Sequence, residues 1–366
     1  MKLALVLPRY EPFGAANGAL AIIARHLALE LGAVGIDAVV VGPAPSAPWD
    51  HGVSARLVAG PSSARRVVDR LIGRAGSSDP GGDRYASTVI DRLSDRDHVV
   101  VLNDLDLAVG VRSATGLDTR AFAQNETEPT RVDDAAVRGL TGLLACSPYI
   151  REWLVGRFAI DPALVRVVPN GVDLDGFRPS ERPDRDELVG VFVGRIDPNK
   201  GILELLQATV DVRARGVRFT LQVAGPVAAW DLSPDETEAF VDRFHELLAA
   251  AGAGYLGPVD RESTARLMGS ADLVFVPSLS QEPFGLVAAE ALASGAAVVV
   301  SDRGGLPWIV ADAGVVVEPT AVALSSAITS LVADGARRAR LGAAARERAG
   351  QFSWSCAARE LLDALA

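Results

Sequence analysis

A short segment, residues 277–290 with the sequence PSLSQEPFGLVAAE, carries the side chains best suited to chemistry. Its two carboxylates, Glu282 and Glu290, lie eight positions apart, and Gly285 stands between them. The apolar run before the segment predicts a buried strand, and the residues after Gly285 predict a helix. Because a glycine turn between a strand and a helix points backbone N–H groups at an anion, we expect a phosphate-bearing ligand here.

Two cations are predicted at the same place. In VFVGRIDPNK, residues 191–200, a strand ends just before Arg195, and Lys200 begins the next helix. Lys200 is one of only two lysines in a chain that otherwise uses arginine, and the other is Lys2. The carboxyl ends of parallel strands meet at one edge of a sheet, so both cations are expected to face the Gly285 turn. A guanidinium fork and a compact ammonium suit phosphate oxygens.

Other uses of the two glutamates fit the pattern less well. A retaining glycosidase needs its two carboxyl groups about 5 Å apart, whereas Glu290 is predicted more than one turn inside a helix. Two solvated surface glutamates are disfavoured because the surrounding sequence, EPFGLVAAEALA, is apolar.

Two Asp-x-Asp strings are candidates for binding a divalent ion on a diphosphate, since carboxylates are preferred ligands of such ions. They are Asp104-Leu105-Asp106 and Asp173-Leu174-Asp175. The cations described above already supply the counter-charge of a phosphate. We therefore expect no required metal and no cofactor.

The elements that must position these residues alternate between apolar strands and helical patterns in both halves of the chain. Such alternation implies crossover connections and parallel sheets. Continuous apolar runs, such as VVVL at 99–102, are typical of strands buried on both faces. The predicted fold class is therefore α/β, with two facing doubly wound Rossmann-like domains and a cleft between them.

The predicted domain boundary lies in the segment 177–183, FRPSERP. Its two prolines and three charged side chains are typical of an exposed linker. The domains are then residues 1–180 and 181–350. The remaining residues, 351–366, have an amphipathic pattern and are expected to form a helix that packs back onto the first domain.

Composition limits the class of protein. The chain has 366 residues, 49% of them hydrophobic, and a formal net charge of −10, which disfavours binding to nucleic acid or anionic membranes. Its two cysteines, Cys146 and Cys356, have no metal-type spacing and favour a reducing compartment. The N-terminal MKLALVLP is too short for a secretory signal, and no apolar run reaches membrane-spanning length. We expect a cytoplasmic protein.

A family resemblance follows from longer motifs. VGRIDPNKG, LQVAGP, YLGPV, ADLVFVPSLSQEPFGLVAAEALASG and SDRGG, together with LLACSPYIREWLVGRF and VRVVPNGVDLDGFRP, resemble a family 4 glycosyltransferase of GT-B fold. The likeness covers nearly all of residues 141–310 and is weaker over 1–45. It implies a retaining glycosyl transfer from a nucleoside-diphosphate sugar, either a UDP-sugar or a GDP-sugar, with the acceptor on domain 1–180 and the donor on domain 181–350.

The resemblance also implies roles for single residues. Glu282 would contact the hydroxyls of the donor sugar, Glu290 the ribose, and Arg195 with Lys200 the departing diphosphate. The catalytic residues would then be Glu282, Arg195 and Lys200. The other implied donor-binding residues are Gly18, Gly194, Gly225, Tyr255, Leu256, Gly257, Val259, Phe284, Gly285 and Leu286.

The acceptor side departs from the family pattern. Residues expected near the acceptor are Tyr10, Asn17, Asn103, Asn125 and Glu126. Asn17 and Gly18 stand where the family usually has a Gly-Gly pair, and Asn125 stands where it often has a histidine. A front-side displacement, in which the leaving phosphate takes the acceptor proton, needs no such imidazole. Trp308 stands where relatives often have glutamate, and the sequence assigns it no role.

A basic amphipathic segment, SSARRVVDRLIGR at 62–74, has two interpretations. Its four arginines suit an anionic membrane or an acidic acceptor, or the segment is a solvated helix docked by its apolar face. The acidity of the whole chain favours the second interpretation. The arginines are Arg65, Arg66, Arg70 and Arg74.

The leading hypothesis is thus a glycosyltransferase whose acceptor is a soluble small molecule, such as a specialised metabolite or a cyclitol, rather than a lipid. One alternative is a sugar-nucleotide epimerase on the same fold, which would use the donor without an acceptor. Another is a non-catalytic partner subunit that binds nucleotide sugars, although the intact donor-site residues argue against it.

Overall fold

A computed structural model describes residues 1–11, 18–44, 52–58, 80–181, 185–228 and 232–366. Asn17 and the arginines of the basic segment 62–74 lie outside these ranges. The chain divides into two compact units, Met1–Gly171 with Trp354–Ala366, and Val172–Ser353. The expected α/β fold with two Rossmann-like domains is confirmed.

Seven strands in the described part of the first unit form one parallel sheet, in the order β3-β2-β1-β4-β5-β6-β7. The order reverses direction between β1 and β4. The loops after these two strands therefore splay apart and open a crevice at the carboxyl edge of the sheet. The strands are β1 Lys2–Val6, β2 Asp37–Pro43, β3 Ala55–Val58, β4 His98–Leu102, β5 Asp118–Ala123, β6 Gly142–Ala145 and β7 Val165–Val167.

Helices connect these strands and cover the sheet. Several begin at a side-chain cap, because an acceptor oxygen satisfies backbone N–H groups that the helix leaves unpaired; Asp104 caps α3 and Ser147 caps α5 in this way. The described helices of this part are α1 Ala19–Ala33, α2 Pro80–Asp91, α3 Leu105–Thr115, α4 Asp134–Arg138 and α5 Pro148–Phe158.

The second unit repeats the plan. Six strands in its described part form a parallel sheet in the order β10-β9-β8-β11-β12-β13. Here the order reverses between β8 and β11, and the core beneath the sheet is built from apolar side chains such as Phe219, Phe244 and Phe275. The strands are β8 Leu188–Val193, β9 Phe219–Ala224, β10 Gly254–Tyr255, β11 Leu273–Val276, β12 Ala297–Ser301 and β13 Gly314–Val317.

Helices follow the strands of the second unit, and two consecutive helices end it. Those described are α6 Ile202–Ala214, α7 Pro234–Ala251, α8 Arg261–Gly269, α9 Leu286–Ala293, α10 Leu306–Val310, α11 Ala321–Ala333 and α12 Gly335–Ala349. None of the helices in the described ranges is long and apolar enough to cross a membrane.

The last helix, α13 Trp354–Leu365, belongs to the first unit. The Trp354 ring stacks on the imidazole of His26 in α1, with ring centroids 4.6 Å apart. Gly171 lies against the same indole, and a Cβ at that position would overlap the ring. The chain therefore returns to the first sheet through a contact that depends on one tryptophan and one glycine.

The change between units falls earlier than the predicted boundary at residue 180. Phe177, expected to start an exposed linker, is buried in the second unit. Its N–H donates to the carbonyl of Asp173, and its own carbonyl accepts from Arg346 Nη1 at 2.8 Å. An aromatic ring gains more from burial than from a place in a solvated linker, so the first residue of FRPSERP joins the core.

Candidate functional site

The crevice at the carboxyl edge of the second sheet lies between the loops that follow β8 and β11. Asp197 accepts a hydrogen bond from Asn199 N (2.8 Å) and so shapes the 3-10 turn Pro198–Lys200 after β8. The carbonyl of Asn199 accepts from Leu279 N at 2.8 Å, which ties this turn to the loop after β11. Gly201 ends the turn at φ 67°, and a Cβ there would overlap the carbonyl oxygen of Pro277.

Lys200 and Glu282 meet in this crevice. The Nζ atom of Lys200 lies 2.5 Å from Oε1 of Glu282, and the same oxygen accepts from the hydroxyl of Ser278 at 2.6 Å. The Lys200 side chain is 24% exposed and that of Glu282 is 15% exposed. The sequence analysis did not single out Ser278, although a hydroxyl two residues after the end of β11 was a signal that it could face the crevice.

The backbone around Glu282 is held by the loop that follows β12. Gly305 N donates to the Glu282 carbonyl at 2.7 Å, and Gly304 N donates to Oε1 of Gln281 at 2.5 Å. Gly304 has φ 56°, and a Cβ there would overlap the Glu282 carbonyl oxygen. The SDRGG motif thus fixes the turn that carries Glu282.

Gly285 precedes helix α9 in a left-handed conformation, with φ 103° and ψ 60°. No side chain caps this helix, so the first backbone N–H groups of α9 are available to an anion in the manner that the glycine turn predicted. A Cβ on Gly285 would lie 2.6 Å from Cδ2 of Leu306.

Phe284 directs its ring away from solvent. The ring is buried and packs edge-on against Trp308 and Phe352, with centroids 6.2 Å and 5.9 Å away. Any contact of Phe284 with a ligand therefore comes from its backbone. The same cluster gives Trp308 a packing role, and the guanidinium of Arg348 lies 6.0 Å from the Trp308 ring centroid.

Glu290 lies on α9 and pairs with a residue that the sequence did not single out. Arg261 Nη1 donates to Glu290 Oε1 at 2.9 Å, and the Glu290 side chain is 13% exposed. Burial raises the pKa of Glu290, while Arg261 lowers it and Asp173 raises it further. The structure thus places Glu282 and Glu290 in separate ion pairs.

Arg195 follows β8 and contacts Asp197, with Nη1 and Oδ2 3.5 Å apart. Beside it, the backbones that follow β8 and β9 approach each other closely. A Cβ on Gly225 would overlap the Gly194 carbonyl oxygen. Gly225 N donates to the Gly257 carbonyl at 2.8 Å, and the Tyr255 hydroxyl donates to the Gly225 carbonyl at 2.9 Å. These residues form one continuous carboxyl edge.

Leu256 and Val259 extend this edge. Leu256 N donates to the Val223 carbonyl at 2.9 Å, and the Leu256 side chain is 49% exposed. Val259 is half-buried, and Asp260 after it caps α8. An exposed aliphatic side chain beside fixed backbone groups suits the flat face of a nucleobase.

The first unit also gathers predicted residues at its crevice. The Tyr10 hydroxyl, after β1, donates to the carbonyl of Asn103, after β4, at 3.3 Å, and burial raises the pKa of Tyr10 to about 12. Asn103 has φ 53°, and its Oδ1 accepts from Gln124 N at 3.0 Å and from Thr127 Oγ1 at 3.1 Å. Asn103 therefore fixes the loop after β5.

Asn125 and Glu126 lie in that loop and are both exposed. Oδ1 of Asn125 accepts from the hydroxyl of Thr127, and Glu126 accepts from the hydroxyl of Tyr149. The far end of the loop is held by Asp106, whose carboxylate accepts from four groups on the three residues Thr130, Arg131 and Val132.

Asp104 and Asp106 have different environments, although the sequence grouped them. Burial raises the pKa of Asp104 to about 6, and the Leu107 N–H that it caps opposes this shift. Asp173 accepts from Asp175 N and Gly176 N within its own turn. Within the described ranges, no group of three or more His, Cys, Asp or Glu side chains is arranged to hold a metal ion.

Gly18 is the residue just before α1, and its missing side chain leaves room for Glu11. A Cβ on Gly18 would overlap the Glu11 carboxylate, and Glu11 Oε1 accepts from Ala21 N at 3.5 Å. The glutamate is buried and lies where the helix macrodipole favours a negative charge.

The sequence of the chain is similar to those of known glycosyltransferases. The family described as glycosyl transferases group 1 matches residues 175–348. The D-inositol 3-phosphate glycosyltransferase of Segniliparus rotundus is 42% identical over 217 residues, which are 56% of this chain and 47% of that protein. The chain spans about half the length of the curated relatives it matches.

Solved structures share the fold over nearly the full chain. Sucrose-phosphate synthase from Thermosynechococcus elongatus has a TM-score of 0.76 and 22% identity, covering 99% of this chain and 98% of that one. Anabaena HepE, in a complex with UDP and glucose, has a TM-score of 0.72 and 18% identity, with coverage of 99% and 98%. The likeness agrees with the GT-B expectation. The match to the glycosyl transferases group 1 lies wholly within the second unit.

Proposed function

We propose that the protein is a retaining glycosyltransferase that moves a hexosyl-type group from a nucleoside-diphosphate sugar to a hydroxyl of a small-molecule acceptor. The observation that carries the proposal is the Lys200–Glu282 pair, 2.5 Å apart at the switch point of the second sheet beside the uncapped start of α9. A cation, a carboxylate and backbone N–H groups there suit a sugar attached to a diphosphate.

The proposed division of labour follows the chemistry of each group. The charge that grows on the leaving diphosphate is stabilised by Lys200, Arg195 and the first N–H groups of α9. Such stabilisation of developing charge by preset groups is usually the largest single contribution to catalysis. Glu282 orients the hydroxyls of the transferred sugar. Glu290 receives the ribose, and Leu256 lies against the base.

The proposed reaction is a front-side displacement. The bond between the anomeric carbon and the diphosphate oxygen breaks, and the acceptor oxygen bonds to the same face of that carbon. The proton of the acceptor hydroxyl passes to the departing phosphate oxygen. This step needs no histidine at the position of Asn125 and no metal ion, so we propose metal-independent transfer.

Relatives and structural neighbours support the proposed donor and acceptor classes. UDP is the nucleotide bound in the Anabaena HepE structure, which makes UDP-sugars the first donors to test, with GDP-sugars second. Relatives named for D-inositol 3-phosphate support a cyclitol acceptor. We assign the acceptor to the first unit, near Tyr10, Asn103, Asn125 and Glu126, and the reaction to the cytoplasm.

One set of measurements tests the proposal. Thermal shift with nucleotides and nucleotide sugars identifies the donor, because a ligand that binds only the folded state raises the melting temperature. Transfer is then measured with inositol and with inositol 3-phosphate, with and without excess chelator, and the anomer of the product is determined by NMR. Retention with undiminished turnover in chelator is expected.

Contrary outcomes point to other functions. Conversion of the donor to an epimer without acceptor would identify an epimerase. Nucleotide affinity without turnover across a broad acceptor panel would identify a binding subunit. Inversion of configuration would overturn the front-side mechanism.

A further inference from the structure

Arg261 occupies a defined position between two groups of the second unit. Its Nη1 donates to Glu290 Oε1 at 2.9 Å, and its guanidinium carbon lies 4.8 Å from the centroid of the Phe177 ring. Asp260, just before it, caps α8 by accepting from Ser263 N at 2.7 Å. The backbone that carries Arg261 is therefore fixed at the start of a capped helix.

Glu290 is committed at one oxygen only. Within the described part of the chain, its Oε1 accepts from Arg261, and its Oε2 accepts no hydrogen bond from protein. A carboxylate oxygen in this state retains its capacity to accept hydrogen bonds from a ligand.

We propose that Arg261 is a positioning residue that holds Oε1 of Glu290 and so presents Oε2 to the 2′- and 3′-hydroxyls of a nucleotide ribose. The inference rests on the proposed function, in which Glu290 receives the donor ribose. It adds Arg261 on α8 to the proposed nucleotide site, together with the Phe177 ring that supports its guanidinium.

The charges around Glu290 make Arg261 hard to replace. Among the described residues, the charged groups that face Glu290 are Arg261 on α8 and Asp173 in the segment before Phe177. Because Asp173 is itself negative, loss of Arg261 leaves a buried carboxylate beside a second one. Both burial and that repulsion favour protonation, and a protonated carboxyl accepts hydrogen bonds less strongly than a carboxylate.

Phe177 supplies a flat platform for the guanidinium. Its ring is buried, and the Phe177 carbonyl is bound by Arg346 at 2.8 Å, so the platform is fixed at both ring and backbone. A planar guanidinium stacks on such a ring while it donates sideways, which a lysine ammonium does less well. R261K should therefore keep the charge and only part of the orientation.

The test compares the wild type with R261Q and R261K, and with R266Q as the matched control. Arg266 lies on the same helix and is exposed, but it donates to Ser263 Oγ rather than to Glu290. Isothermal titration is performed with UDP, GDP and their 2′-deoxy analogues from about pH 5.5 to about pH 8, a range that covers protonation of a carboxyl with a raised pKa. Thermal unfolding of each variant verifies that it is folded.

R261Q is expected to reduce the preference of the protein for the ribonucleotide over its 2′-deoxy analogue by about tenfold. Its remaining ribonucleotide affinity should fall as the pH is lowered, because Glu290 then becomes protonated at a higher pH than in the wild type. R261K should restore part of the preference, and R266Q should match the wild type.

Two outcomes would count against the inference in distinguishable ways. If the wild type binds a nucleoside diphosphate and R261Q keeps the wild-type preference at every pH, Arg261 does not position Glu290 and the inference fails alone. If the wild type binds neither UDP nor GDP, the proposed function fails and the inference with it.

Discussion

Oε1 of Glu282 accepts from two donors at once, the ammonium of Lys200 at 2.5 Å and the hydroxyl of Ser278 at 2.6 Å. The carboxylate therefore holds the ammonium in the crevice before any ligand arrives. A group fixed in advance reorganises little during a reaction, which is where preset charges are most effective.

Removal of Lys200 should therefore be costly for turnover. K200A is expected to lower kcat by about 100-fold or more, the loss typical of deleting one preset donor at a developing anion. E282Q should have a loss of similar size, and the double variant should lose less than the product of the two, because the residues act as a unit. Steady-state transfer rates measure this. S278A, which leaves the ion pair in place, is the control, and normal transfer by both K200A and E282Q would contradict the proposed function.

Gly285 should tolerate no side chain. G285A meets two penalties, a positive φ of 103° and a Cβ 2.6 Å from Leu306 Cδ2, and we expect a loss of about 3 kcal/mol in the free energy of unfolding. Gly216 offers the matched control, since it has φ 77° with nothing within 4 Å of a Cβ. G216A should lose only about 1 kcal/mol. Urea unfolding measures both, and equal losses would show that the Leu306 contact carries no cost.

Asp104 should make stability depend on pH. Its folded pKa of about 6 lies above its ordinary value, so the neutral form is favoured on folding. That stabilisation is fully present below about pH 4 and is lost as the pH rises through about 6. D104N keeps an oxygen that caps α3 and does not ionise. The unfolding free energy of the variant should therefore rise relative to that of the wild type by about 2–3 kcal/mol between about pH 4 and about pH 7. A constant difference across this range would exclude the assignment.

Trp308 should support packing rather than transfer. W308A removes a half-buried ring from contact with Phe284 and Phe352, and we expect a loss of about 3 kcal/mol in unfolding free energy. W308F should lose clearly less. W308E, which introduces the glutamate that the family resemblance leads us to expect here, should destabilise the protein without increasing its turnover. A more active W308E would mean that the tryptophan limits catalysis.

Much of this arrangement follows from the sequence because it depends on strand ends. Lys200 follows β8, Glu282 follows β11, and the two strands are parallel neighbours, so the order of the sheet brings the two side chains to one place. Apolar runs were sufficient to indicate the strands. The same logic places Tyr10 beside Asn103 in the first unit.

Other features depend on packing between distant segments and left no local signal. Arg261 reaches Glu290 from a neighbouring helix, and the two are 29 positions apart. Phe177 looked like part of a linker because its neighbours are prolines and charges, yet the ring is buried beneath Arg261. The indole of Trp308 packs against Phe352, near the end of the second unit, and no sequence pattern links these two positions.

The close approaches at Gly201, Gly225 and Gly304 have a consequence for how such a protein can change over time. At each of them a Cβ would overlap a carbonyl oxygen, that of Pro277, Gly194 or Glu282. Because these contacts join backbone to backbone, the shape of the loops around the crevice does not depend on which side chains line it. A saturation library should therefore be intolerant at these three glycines whatever ligand is used for selection. Exposed positions such as Leu256 should accept many residues, which leaves new ligand preferences within reach of single substitutions.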